Sequence, residues 1–180
     1  MTALIAAAKD PAYPAEIVGV LANNPDAAGL AVAAENGIAT AIVPHRDFVT
    51  REAFEARLDA QLAAWGTEIV CLAGFMRLLS AGFTGRWLGR MINIHPSLLP
   101  LHKGLHTHER ALAEGVSEHG CTVHFVTPGM DEGPTILQAR VPVVPGDTAE
   151  SLAARVLIEE HSIYPRALAM LASGEVAYPA

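Results

Sequence analysis

The chain has 180 residues, 51% of them hydrophobic and 17% charged. That balance supplies a sizeable core for one domain and excludes intrinsic disorder, which needs low hydrophobicity and high charge. A net charge of −7 leaves no basic surface for phosphates, so nucleic acid is not an expected partner. No apolar run reaches the ~18 residues of a membrane span, and no signal-peptide pattern opens the chain. Cys71 and Cys121 stand far apart without a pairing pattern, which predicts reduced thiols and a cytoplasmic setting.

In chain order, residues 1–8 read as a helix and residues 16–22 (EIVGVLA) as a buried strand. Asn23-Asn24-Pro25-Asp26 is a turn that starts a second helix, ended by Gly37. Residues 38–43 form the next strand. From Thr50 onward Phe54, Leu58, Leu62 and Trp65 recur at helical spacing. Residues 68–72 and 91–94 read as strands, 80–88 and 108–114 as short helices. The segments 121–126 and 135–141 flank a Pro-Gly-Met-Asp-Glu-Gly-Pro turn, which favours two adjacent strands. A long helix starts near Thr148, is predicted to kink or end at Tyr164-Pro165, and resumes to Ser173. Alternating strands and helices imply one α/β domain over residues 1–180. Its sheet would be mostly parallel with helices on both faces, and antiparallel strands would come toward the C-terminal part. The chain opens on a helix where a strand–helix–strand series should begin with a strand.

In such sheets the site lies beyond the carboxyl ends of the strands. Asn93-Ile94-His95-Pro96-Ser97 falls there, and residues two apart in a strand share a face. An Asn amide can donate to a developing oxyanion, and a His can move a proton near neutral pH. Alternatively, both could merely bond the loop backbone. Asp131, between Gly129 and Gly133, could hold His95 in its charged form or be a simple turn residue. His124 reads as a core histidine on a strand. Arg77, at a strand end, hints at an anionic ligand. His102, His106 and His108 suggest a metal cluster, but their spacing matches no common motif, so no metal is expected. No serine elbow, Walker loop or dinucleotide loop is present, and Cys71 sits in an apolar strand.

The segments LAGFMRLLS, INIHPSLLP, GLHTHERAL, EHGCTVHFVTPGMDEGPTILQARVPV and EEHSIYP, in this order, closely resemble the glycinamide ribonucleotide formyltransferases of purine synthesis. The Asn-x-His and Asp pattern is shared by the wider group of enzymes that use 10-formyltetrahydrofolate. The resemblance implies a Rossmann-like formyltransferase fold, with Asn93, His95 and Asp131 as catalytic residues. It implies 10-formyltetrahydrofolate as cosubstrate and no metal. Arg51, Met76, Arg77, Leu78, Leu79 and Asn93 would bind the folate, and Glu160 the ribonucleotide. His124 and Thr122 would support the site. The substrates would be small molecules, and the protein a monomer or homodimer. The family opens with a strand and a glycine-rich phosphate loop, whereas Met1 aligns just after that loop; the first strand and the loop are expected to be missing. Two other functions stay open: hydrolysis of the same folate, and a non-catalytic folate-binding module.

Overall fold

A computed structural model describes residues 1–179 and divides into two compact units, Met1–Ile69 and Val70–Ala180. No helix among the described residues is long and apolar enough to cross a membrane.

In the first unit, helix α1 (Thr2–Ala7) buries Leu4 and Ile5. Strand β1 (Val20–Ala22) pairs in parallel with β2 (Thr40–Ile42), Leu21 opposite Ala41. Helix α2 (Ala28–Glu35) joins them. Both strands are shorter than their apolar runs. The turn at Gly37, with φ of 71°, delays β2 until Thr40, so only three residues of β1 meet a partner. Gly19 is required by packing: a Cβ there would lie 2.5 Å from the Trp65 ring. Helix α3 (Arg51–Ala64) is capped by Thr50, whose hydroxyl accepts from the Ala53 N–H at 3.1 Å. Its buried Phe54 meets the rings of Phe48 and His45 edge-on.

In the second unit, strands β3 (Val70–Leu72), β4 (Met91–His95), β5 (Glu118–Phe125) and β6 (Thr135–Pro142) form one sheet in that order. The β3–β4 pair is parallel; β4–β5 and β5–β6 are antiparallel. The sheet is therefore mixed, with its antiparallel part late in the chain. Helix α4 (Ala81–Arg86) is capped by the Ser80 hydroxyl, and α5 (Thr107–Ala113) precedes β5. Helix α6 (Ala149–Ala172) packs on β5 and β6. Thr148 and Ser151 form a reciprocal cap at its start. Next to that cap Asp147 takes both nitrogens of the Arg155 fork at 2.9 Å, which holds its carboxyl well below the usual carboxylate range. Where a kink or an end is expected at Tyr164-Pro165, α6 does not end: its helical run continues through Pro165 to Ala172. Proline supplies no N–H to the turn before it. The buried Ile163, Tyr164, Ala167 and Leu168 pin the helix on both sides of that gap.

Cys121 is buried and Cys71 half-buried. Burial pushes Cys71 and Cys121 up to about 12, so at pH 8 the thiolate fraction is about 10⁻⁴. In the folded chain neither thiol should react with an aromatic disulfide reagent; both should react once the chain is unfolded. Rapid titration of either in the native protein would show the burial to be wrong.

Candidate active site

Strand β4 ends at His95, with Met91 and Ile92 wholly buried. Its register against β5 places Asn93 opposite His124 and His95 opposite Thr122. Residues directly opposite share a face, and so do residues two apart. Four polar side chains therefore gather on one face at the end of the β3–β4 parallel pair. Thr122 and His124 are fully buried and His95 nearly so.

Each group is oriented by a specific bond. His124 Nδ1 donates to the Phe125 carbonyl at 2.9 Å, which leaves Nε2 as an acceptor. The Asn93 amide donates to that Nε2 at 3.2 Å. Burial lowers the His124 pKa despite the nearby Asp131 charge, so the ring stays neutral and this donor–acceptor order holds. One amide proton of Asn93 is thereby used and the carboxamide cannot flip without losing the bond.

His95 lies between two acceptors: Nδ1 is 3.5 Å from Asp131 Oδ2 and Nε2 is 3.1 Å from the His102 carbonyl. Acceptors on both sides suit a doubly protonated imidazolium. Asp131 Oδ1 is 3.7 Å from His124 Nε2, so the carboxylate faces two imidazoles. The backbone delivers it there at a strained position, φ 53°, a conformation often found at functional sites. Gly133 lets the loop pass close to β5, since a Cβ there would overlap the Phe125 carbonyl oxygen. Two bonds clip this loop to residues 103–104: Gly104 N–H donates to Asp131 Oδ2 at 2.9 Å, and Lys103 Nζ pairs with Glu132 at 3.0 Å.

The segment after His95 is braced in turn. The Thr122 hydroxyl donates to the Ser97 carbonyl at 2.7 Å and accepts from Leu99 N–H at 3.1 Å. Gln138, on β6, donates to Leu99 O at 2.8 Å and to Thr122 Oγ1 at 2.9 Å. Ser97 closes the turn on the Leu101 carbonyl at 2.6 Å. These bonds set the position of the His102 carbonyl that His95 uses. Of the three histidines of the cluster, His102 and His108 both pack edge-on against the His119 ring, at 5.6 and 5.1 Å, while His106 is exposed. His102 also pairs with Glu114 at 2.9 Å, and His106 lies 3.6 Å from Glu109. His119 is held at about 4, by burial first and by His108 and His102 next.

Residues 1–168 match the family described as formyl transferase. This chain belongs to the formyl transferase family. It is 44% identical over 176 residues to the phosphoribosylglycinamide formyltransferase of Escherichia coli K12, covering 98% of this chain and 83% of that one. The crystal structure of the Brucella melitensis phosphoribosylglycinamide formyltransferase matches with a TM-score of 0.92 and 54% identity, covering 99% of this chain and 92% of that one. The trifunctional purine biosynthetic protein adenosine-3 of Drosophila melanogaster is 48% identical over 176 residues, which are 97% of this chain but 13% of that protein.

Membership of the formyl transferases gives the remaining predicted residues a context, but the structure joins only some of them to the cluster. Asn93, His95, Asp131, His124 and Thr122 come together. Met76, Arg77, Leu78 and Leu79 lie on the segment leaving β3, whose last residue, Leu72, is the register partner of Asn93. Met76 and Leu78 are exposed, at 71% and 61%. Glu160, on α6, faces β5 closely enough to help raise the Cys121 thiol, and its own carboxyl is raised by burial. Arg51 is the exposed first residue of α3, in the other unit. Three parts of the site were not read from sequence: the His102 carbonyl, the Gly104 N–H and the Gln138 brace. The first two are backbone groups, which carry no residue-type signal. Gln138 looks like any polar residue on an alternating strand.

Proposed function

We propose that this formyl transferase moves the formyl group of 10-formyltetrahydrofolate to the amine of N1-(5-phosphoribosyl)glycinamide. The products are formylglycinamide ribonucleotide and tetrahydrofolate, in purine synthesis. What supports this most is the oriented Asn93 amide beside the His95–Asp131 pair, on a chain similar to named phosphoribosylglycinamide formyltransferases along almost its whole length.

The substrate amine is itself the nucleophile, which agrees with thiols that stay protonated. It attacks the formyl carbon, and negative charge builds on the formyl oxygen. Asn93 donates its second amide proton to that oxygen, the first being held by His124. His95, as imidazolium, keeps its Nε2 proton on the His102 carbonyl and gives the Nδ1 proton, the more loosely held at 3.5 Å from Asp131, to the departing folate nitrogen as the old C–N bond breaks. The proton lost by the attacking nitrogen returns to His95, so the site is restored and the balance closes. Asp131 holds the imidazolium through this exchange.

Met76, Arg77, Leu78 and Leu79 would carry the folate: exposed apolar side chains beside the end of β3 suit a flat ring system. We also assign Arg51, an exposed cation at the start of α3, to the acidic part of the folate. Glu160 would accept from the ribose hydroxyls; being half-buried, it meets little competition from water. We take the chain to work as one formyltransferase domain, as a monomer or homodimer, in the cytoplasm, on small molecules alone.

The deciding experiment follows tetrahydrofolate release from 10-formyltetrahydrofolate, with and without the ribonucleotide. Release that depends on the ribonucleotide, with formate absent, is expected. Equal release without it would make the chain a hydrolase, and binding of a folate analogue without any release would make it a binding module.

A further inference from the structure

We propose that Tyr164 is a positioning residue of the transfer: its hydroxyl ties α6 to the ends of β3 and β4 and so fixes Glu160 relative to Asn93. The proposal rests on the roles given to Asn93 and Glu160 above.

The Tyr164 side chain is buried, and its hydroxyl donates to the Leu72 carbonyl at 2.7 Å, with the Ile92 carbonyl at 3.2 Å. Neither partner is an arbitrary core atom. Leu72 is the last residue of β3 and the register partner of Asn93. The Ile92 carbonyl belongs to the peptide bond leading into Asn93. A single hydroxyl therefore grips both strands of the parallel pair at the level of the oxyanion donor. A strand carbonyl has a second lone pair beyond its place in the ladder, so this grip need not break the sheet. Cys71, the neighbour of Leu72, also bonds the tyrosine hydroxyl, and its thiol stays protonated.

The other end of the link is set by helix geometry. Glu160 and Tyr164 are four residues apart in α6, one turn, and lie on the same stripe of the helix. If Glu160 holds the ribonucleotide, and with it the amine, the attacking nitrogen is anchored to α6. The formyl oxygen is anchored to β4 through Asn93. Attack needs the reacting atoms about 3–3.5 Å apart, so any slip between the two anchors lowers the rate more than the binding. The packing of α6 survives loss of the hydroxyl, because Leu152, Val156, Ala167 and Leu168 remain buried. What is lost is the polar stop that sets the height of the helix along the sheet. A hydroxyl that only satisfied itself in the core would affect stability and nothing else.

The test is Tyr164→Phe in the full chain, with kcat and KM measured for both substrates, thermal unfolding recorded, and the same substitution repeated in an Asn93→Ala background. We expect kcat to fall about tenfold with both KM values within about twofold. In the Asn93→Ala background the further loss should vanish, because the donor being positioned is gone. Tyr164→4-aminophenylalanine, which keeps the ring and a donor, should restore kcat to within about threefold of the parent. It serves alone should the phenylalanine variant not fold: a tenfold loss with the donor present overturns the proposal. So does a parental kcat in Tyr164→Phe with only a lower Tm, or a loss that is equal in both backgrounds. No ribonucleotide-dependent transfer by the parent chain would remove the assigned function and this proposal together. An active parent beside an unaffected Tyr164→Phe removes the proposal alone.

Discussion

Asn93→Ala is expected to lower kcat by about 10²–10³, with KM for the formyl donor changed little. The asymmetry follows from when the bond matters. In the bound ground state the formyl oxygen is a neutral carbonyl and the amide adds little; as the amine attacks, that oxygen becomes an oxyanion and the bond becomes charge-assisted. The donor is effective because it is preorganised: His124 Nε2 takes one amide proton at 3.2 Å and fixes the plane of the other. His124→Ala should therefore give a smaller loss of the same kind, since the amide is kept but freed to rotate. Asn93→Asp should be worse than Asn93→Ala, because it sets a carboxylate where negative charge develops and near Asp131. Steady-state kinetics on variants with parental circular dichroism would check all three. Turnover within threefold of the parent for Asn93→Ala would remove the oxyanion role.

How much of this could be read beforehand differs between elements, for physical reasons. The helices and the last two strands were legible because period and capping chemistry act locally: Thr50 and Ser80 cap α3 and α4, and the turn around Asp131 separates two alternating runs. The early strands were overextended, since an apolar run says nothing about where a partner strand begins. Pro165 does not end α6. A proline disrupts a helix by a fixed local amount, whereas the burial of Tyr164 and its neighbours is a tertiary effect that the sequence does not display. At the site, Asn93 and His95 were visible through strand alternation, and Asp131 through its flanking glycines. Their joining to His124 needed the β4–β5 register, and the acceptors of His95 include a backbone carbonyl that no residue type announces. The histidine cluster misled for a related reason. Proximity in sequence suggested common work for His102, His106 and His108, whereas His106 stands exposed near Glu109 and His102 and His108 pack edge-on against the His119 ring.

His95→Ala is expected to lower kcat by about 10²–10⁴, the range for removing a positioned acid. Asp131→Asn should cost less, because it keeps the shape and an acceptor for Gly104 N–H but removes the charge facing the imidazole. The two residues act as one unit, so adding Asp131→Asn to His95→Ala should change kcat by less than about threefold. That non-additivity separates a coupled acid from two independent contacts. The charge that Asp131 places 3.5 Å from His95 Nδ1 is what this substitution removes, so kcat should fall while KM for both substrates changes little. His124 cannot take over in His95→Ala, although it lies 3.7 Å from the same carboxylate. Burial lowers its pKa, its Nδ1 proton is committed to the Phe125 carbonyl, and its Nε2 accepts from Asn93. Protonating it would break the bond that orients the oxyanion donor. The two histidines around this carboxylate therefore do different work: His124 orients the oxyanion donor and His95 moves the proton. Strictly additive losses in the double variant would break that division of labour.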